Sequence, residues 1–159
     1  MGDITFVAIA RASSIWWSFD AWSRKVIGYA LGRNIDTRLT LAALVAAITP
    51  RNPLPRCVFD TDRGCQYAAA RHRHVLEQHG FIGSMSRKGN PYDDAKAERF
   101  MKTLKVEAVY VAEYDTFEDV AADLPAFIKN VYNQTRRPSA LEYMSPNIFE
   151  EKYALIRST

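Results

Sequence analysis

The chain has 159 residues, 48% hydrophobic and 25% charged, with a formal net charge of +3. That is enough for one domain with a real core; the composition excludes a disordered chain, and no apolar run reaches the roughly 18–20 residues of a membrane span. The start, MGDITFVAIA, lacks the basic opening and cleavage site of a secretory signal, and Cys57 and Cys65 form no C-x-x-C. A reducing, cytoplasmic setting is expected. The mild positive charge permits a nucleic-acid partner without requiring one.

ITFVAIA (4–10) is apolar and β-branched and reads as a strand, followed by strands at SIWWSF (14–19) and KVIGYAL (25–31). Their links are short, which predicts an antiparallel meander. DTRLTLAALVAAI (36–48) opens on a capping residue and is rich in Leu and Ala, so it predicts a helix. TPRNPLP is a loop broken by three prolines, and CVFD is a short buried strand. AAARHRHVLEQHG (68–80) reads as a helix stopped by Gly80, and FIGSM (81–85) as a strand. SRKGNPY (86–92) is a loop, and a helix follows over about 93–110. Thr116 with Asp119 predicts a capping box opening another helix, with Pro125 a kink or break. The remainder, from RRPSALEY onward, is irregular and then helical. Residues 1–132 thus form the core and 133–159 a tail packed on or extending it. The expected fold is α/β: a mixed five-stranded sheet with helices on both faces.

Three carboxylates stand out. Asp3 opens the first strand, Asp62 ends the fourth inside FDTDRGCQY, and Glu98 lies on the late helix, with 35 residues between Asp62 and Glu98. If the first and fourth strands are neighbours, Asp3 and Asp62 take adjacent strand positions and the helix with Glu98 can lie across them. Converging carboxylates repel unless a cation sits between them, and hard divalent ions prefer oxygen ligands. Two such ions roughly 4 Å apart can clamp the attacking and leaving oxygens of an in-line phosphoryl displacement. Each acid alone reads equally well as a strand end, a turn former or a solvated helix residue.

At about 100° per residue, Asp94, Glu98, Lys102, Lys105 and Val109 share one sector of the late helix. Ala97, Phe100, Met101, Leu104 and Ala108 form its core stripe. Glu98 sits beside the buried face, with the lysines aligned beyond it where a phosphate backbone would run. The plain alternative is an i, i+4 surface pair contributing about 0.2–0.5 kcal/mol. Residues 86–105 hold six cationic side chains, among them Arg87, Lys88, Lys102 and Lys105, against three acids, around a turn containing Asn90. Arg136 and Arg137 extend this patch. Such contacts give DNA affinity without sequence choice. His72, His74 and His79 share a helix but lack the second ligand cluster of a zinc site. No phosphate-cradling glycine loop is present, and Trp16, Trp17 and Trp22 read as core or interface residues.

The blocks GDITFVAIA, DAWSRKVIGYAL, DTDRGCQY, SMSRKGNPYDDAKAERFMKTLKVE, FEDVAADLPAFIKNVYN and RRPSALEYMSP run nearly end to end. With the Asp-(35)-Glu spacing they resemble the catalytic core of bacterial insertion-sequence transposases of the retroviral-integrase DDE type. The resemblance implies a ribonuclease H-like fold and a triad of Asp3, Asp62 and Glu98 holding two Mg²⁺ ions, or Mn²⁺ in their place. It implies DNA strand cleavage and strand transfer, with Lys102 and Lys105 holding DNA near the cut end. The implied partners are element-end and target DNA, further copies of the chain, and a helix-turn-helix region that is missing here or carried separately. The sequence departs from the family's pattern at Asp60 (usually histidine), Asp94 (asparagine), Cys65 (serine), Pro138 (histidine) and Glu142 (glycine). Two other readings remain at this point: a truncated remnant that binds DNA or self-associates without cutting, and a stand-alone nuclease on the same fold.

Overall fold

The computed structural model describes residues 2–7, 13–34, 36–61, 65–85, 98–109 and 114–157. Strands β1 (Gly2–Val7), β2 (Ser13–Phe19) and β3 (Val26–Gly32) form the expected antiparallel meander. β4 (Val58–Thr61) and β5 (Ile82–Met85) add in parallel on the far side of β1, giving the order β3-β2-β1-β4-β5. The β1–β4 pairing is made at Gly2 and Thr61.

β2 shows why the sheet is covered on both faces. Ile15, Trp16, Trp17, Ser18 and Phe19 are all buried, the most exposed of them at 1%. Side chains alternate across a strand. Ile15, Trp17 and Phe19 therefore join one core with Phe100, Leu104, Val120, Leu124 and Ile128. Trp16 joins the other, with Leu39, Leu44, Phe59, Tyr67 and Leu76. This double burial removes the hydrophobic-in, polar-out rhythm of a half-solvated strand.

Helix α1 (Thr37–Arg51) covers the second face. Asp36 caps it by accepting a hydrogen bond from the Leu39 N–H at 2.9 Å. It runs through Pro50, past the boundary the prolines predict; a proline in the last turn withholds only its own N–H, and the Asn52 N–H still reaches the Ile48 carbonyl at 2.9 Å. α1 lies directly on β3 at Gly28. A Cβ there would stand 2.4 Å from the Ala43 carbonyl oxygen and 2.6 Å from the Ala47 nitrogen.

The expected helix over 68–80 is divided into α2 (Cys65–Ala68) and α3 (Ala70–Gln78), because Ala69 is extended. α3 stops at Gly80, which takes φ +66. The Gly80 N–H reaches the Glu77 carbonyl at 2.9 Å and the Phe81 N–H reaches the Leu76 carbonyl at 2.8 Å, the Schellman arrangement.

The late helix, α4, is described over 98–109; its second half, Leu104–Val109, is wound as π-helix. The next helix, α5, opens on the expected capping box of Thr116 and Asp119. Pro125 does not break it. Phe117–Ala126 runs on as π-helix over Phe127–Tyr132 and ends in Asn133–Thr135. The proline removes one donor from the ladder, and the helix widens beyond it. A 3-10 turn, Ser139–Leu141, leads to α6 (Pro146–Arg157).

α6 is tied back to the β2–β3 turn and the end of α1. Glu150 accepts from Ser23 Oγ at 2.6 Å and from Lys25 Nζ at 3.1 Å, and it pairs with Arg51. Burial pushes the Glu150 carboxyl up, but the bonds from Ser23, Arg51 and Lys25 outweigh it and hold it below the usual glutamate value. Half-exposed Trp22 packs on Phe149 and Tyr153 beside this cluster.

Candidate nucleic-acid interface and carboxylate site

Gly2 of β1 pairs with Thr61 of β4 in parallel, and in the sequence Asp3 follows the one and Asp62 the other. Asp3 is a β1 residue whose backbone partner on β2 is Trp17. The Trp17 ring packs against Phe100 at 4.7 Å between centroids, and Phe100 is two residues after Glu98 on α4. Phe100 is 1% exposed and also meets Tyr132 at 4.8 Å. The helix that carries Glu98 is thus clamped to β2 by an aromatic stack, with Glu98 on its exposed side. Asp62, Arg87, Lys88, Asn90 and Asp94 lie outside the described residues. Among the described residues no group of three metal-ligating side chains is found.

Lys102 and Lys105 do not behave as the aligned pair that the sequence reading makes of them. Lys102 is exposed and lines a cleft of about 640 Å³; Lys105 is half-buried and does not line it. At regular helical spacing the two lysines already stand about 60° apart, and Arg99, Lys102, Thr103, Val106 and Glu107 make up the face that lines the cleft; the winding becomes π-helical from Leu104.

That cleft is bounded by α4, the β2–β3 turn and the segment after α5. It brings Lys102, Arg136 and Arg137 together with Arg99, one of the six cations of the 86–105 patch, and with Arg24, to which the sequence assigned no role. Among the described residues the one carboxylate in its wall is Glu107, which is paired with Arg136. Tyr132 is buried in the same wall. Burial pushes its hydroxyl up to about 12, against the opposing pull of Arg136 and Arg24, so it stays a neutral donor at physiological pH.

The turn that presents Arg24 is built by Asp20. Its carboxylate accepts from the Trp22 and Ser23 N–H groups at 2.9 and 3.2 Å, and its carbonyl accepts from the Arg24 N–H at 2.8 Å. Arg24 takes φ +57, the left-handed region that few non-glycine residues adopt. The sequence signal was the Asp-x-x-Ser-Arg run between two strands, which reads only as a turn. Asn133, also unmarked by sequence, is nearly buried; its side chain accepts from the Val26 N–H at 3.0 Å and donates to the Val26 carbonyl at 2.9 Å.

Chain similarity decides the family. The integrase core domain family matches residues 1–91, and a second integrase core domain description matches 79–146. The chain belongs to the integrase core domain family. It is 34% identical over 152 residues to the transposase for insertion sequence element IS904 of Lactococcus lactis subsp. lactis (strain IL1403), covering 95% of this chain and 60% of that protein. It is 36% identical over 155 residues to transposase InsF for insertion sequence IS3A of Escherichia coli (strain K12), covering 95% and 53%. This integrase core therefore spans between half and two-thirds of the length of these relatives. Among solved structures, the HTLV-2 integrase catalytic core domain in complex with magnesium superposes with a TM-score of 0.68 at 16% identity, over 93% of this chain and 92% of that one. The BIV integrase catalytic core domain gives 0.67 at 16% identity, over 98% and 97%. The architecture is the ribonuclease H-like α/β fold.

Among the departures from the family's sequence pattern, Asp60 lies on β4 opposite Ser84 of β5 and Cys65 opens α2. Glu142 takes φ +53, where glycine carries no steric penalty, and pairs with Lys152 at 3.1 Å. Pro138 lines the basic cleft. Of the histidines, His72 is 1% exposed, boxed by Phe59 and Tyr67, with neither ring nitrogen hydrogen-bonded; burial pushes its pKa down.

Proposed function

We propose that this chain is the catalytic core, residues 1–132 with an appended tail at 133–159, of an insertion-sequence transposase that cuts and joins DNA. Asp3, Asp62 and Glu98 are the metal ligands in this reading. The observation that supports it is the parallel pairing of Gly2 with Thr61, the residues that immediately precede Asp3 and Asp62 in the sequence of an integrase core. The aromatic contact between Trp17, the partner of Asp3, and Phe100, two residues on from Glu98, ties the helix that carries the third carboxylate to the strand next to Asp3 and supports this reading.

Three carboxylates form a hard oxygen donor set that fits Mg²⁺ or Mn²⁺. Two bound ions would supply charge neutralisation at the attacking and leaving oxygens of a phosphodiester. Around them the protein's task is positioning. Lys102, Arg136 and Arg137 grip phosphates from the cleft, with Lys105, Arg87, Lys88 and Asn90 extending the contact along α4 and the preceding loop. Water first cuts at the element end, and the freed 3′-OH then attacks a target phosphodiester, so no covalent link to the enzyme is needed. Two ends must be held together, which calls for more than one copy of the chain, and a helix-turn-helix region, on this or another chain, reads the end sequence.

Nicking or joining of a short DNA duplex with Mn²⁺, measured beside a Glu98→Gln variant, tests this. The parent is expected to nick and the variant to lose activity while keeping DNA affinity. Equal activity in both would overturn the triad. An inactive parent that still retains DNA in a salt-sensitive way would favour a remnant that binds without cutting.

A further inference from the structure

We infer that the cleft between α4, the β2–β3 turn and the segment after α5 is a phosphodiester-binding site for a DNA strand, anchored by Arg24 and Arg99, with Glu107 as a built-in competitor for Arg136. This rests on DNA being the substrate, and it adds two anchoring residues and a regulating carboxylate to that reading.

The charge balance comes first. Arg24, Arg99, Lys102, Arg136 and Arg137 line one cleft whose described wall holds a single carboxylate, Glu107. With Glu107 paired to Arg136, the excess is four positive charges around about 640 Å³, which repel one another unless a further anion enters. Arg33 and Arg38, by contrast, are each matched to an acid, Glu118 and Asp36.

The donor type comes second. Four of the five cations are arginines, whose planar forks suit the paired oxygens of a phosphate. Tyr132, a neutral phenol at physiological pH, puts no negative charge into the wall. The Asp20 turn holds the Arg24 backbone in a strained left-handed conformation, and such strain concentrates at binding sites.

Position comes third. Lys102 lies four residues along α4 from Glu98, roughly 6 Å of helix rise, and it lines the cleft whereas Glu98 does not. The cleft therefore adjoins the part of α4 that carries Glu98.

Glu107 acts against this. Its bond to Arg136 occupies the guanidinium that an incoming phosphate would take. A phosphate entering the cleft must break that pair, so Glu107 lowers DNA affinity, and its removal should raise it.

The probe is a short DNA duplex of arbitrary sequence, with affinity read by fluorescence anisotropy between about 50 and 200 mM salt. An Arg24→Gln/Arg99→Gln double variant should bind at least about fivefold more weakly. Its slope of log affinity against log salt should be shallower by about two, near 0.9 per lost phosphate contact. Glu107→Gln should bind tighter, with a steeper slope. Arg38→Gln, on the outer face of α1, should match the parent. Thermal midpoints establish that each variant is folded, and if the double variant is not, Glu107→Gln decides alone. Parent-like affinity and slope in the double variant, weaker binding in Glu107→Gln, or an equal loss in Arg38→Gln would each overturn the assignment. An inactive parent whose cleft variants still shift binding in this way would sink the catalytic reading and leave the cleft standing. Active parent and variants with unchanged binding would do the reverse.

Discussion

Replacing Asn133 should cost this fold more than its modest place in the sequence suggests. β3 is an edge strand, so the outward N–H and C=O of Val26 have no strand to pair with. Asn133 supplies both missing partners, at 3.0 and 2.9 Å, with Asn133 7% and Val26 4% exposed. In Asn133→Leu the branching and the number of side-chain heavy atoms are kept and both partners are lost. Each buried backbone group left unpaired costs about 1–3 kcal/mol, and some relaxation toward water recovers part, so a total loss of about 2–4 kcal/mol is expected. Against a domain stability of about 5–15 kcal/mol, that is a large fraction. Asn133→Asp tests the geometry differently: it keeps the acceptor facing the Val26 N–H but sets an oxygen against the Val26 carbonyl, and it should cost at least as much. Urea unfolding gives the magnitude, provided the slope m is unchanged, and hydrogen exchange at the Val26 amide gives the location. A loss below about 1 kcal/mol in Asn133→Leu, or unchanged protection of Val26, would refute the reasoning.

Gly28→Ala should destabilise by about 3 kcal/mol or more, because the new Cβ meets α1 backbone atoms at 2.4 and 2.6 Å, which cannot yield as a flexible side chain would; thermal unfolding reads this, and a neutral result would mean that α1 can lift from β3. His72 has a depressed folded pKa, so below about 6.5 the unfolded chain binds a proton that the folded chain refuses. Stability should therefore fall as the pH drops from there, by up to about 1.4 kcal/mol per pH unit. His72→Leu should flatten that dependence between pH 5 and 7 in urea unfolding, and an unchanged slope would acquit His72. Glu150, also held below its usual value, contributes stability that is present above about pH 4.5 and is lost as the pH falls through its folded pKa. Glu150→Gln should cost about 2 kcal/mol at pH 7 and less at pH 3, as compared by thermal midpoints, and an equal cost at both pH values would mean that the Arg51, Lys25 and Ser23 bonds do not carry the effect.

The parts of the fold that local chemistry dictates were legible in the sequence. Asp36, Gly80 and the Thr116–Asp119 box each act within one turn of helix, and each does in the structure what its side chain or φ freedom requires. The meander was legible because its links are short. What was not legible depends on partners far along the chain. Trp16 and Trp17 are adjacent in sequence yet belong to opposite cores, which only the cover on both faces of β2 reveals. Pro125 reads as a break because its missing donor is local, whereas the packing of Val120, Leu124 and Ile128 that carries the helix through it is not. Asn133 looks like one polar residue among several until Val26, distant in sequence, is placed beside it. Arg24 belongs to the same class: its sequence context marks a turn, and only the fold shows that the turn opens onto α4.

The winding of α4 ties these threads to function. On the sequence alone Glu98, Lys102 and Lys105 read as one file, as though all three met the same phosphate. In the structure the file is divided, since the two lysines stand about 60° apart around the axis. Lys102 turns with Arg99 and Glu107 to the cleft wall, while Lys105 stays outside it. The same helix is pinned through Phe100 to Trp17 and Tyr132, so its two exposed edges cannot rotate independently. One edge carries the carboxylate and the other the cations, at a fixed offset. On the proposed function, a DNA strand that reaches the carboxylate edge would continue sideways toward Arg24 and Arg136, and how tightly it is held there would depend on one competition, between a DNA phosphate and Glu107 for the Arg136 guanidinium.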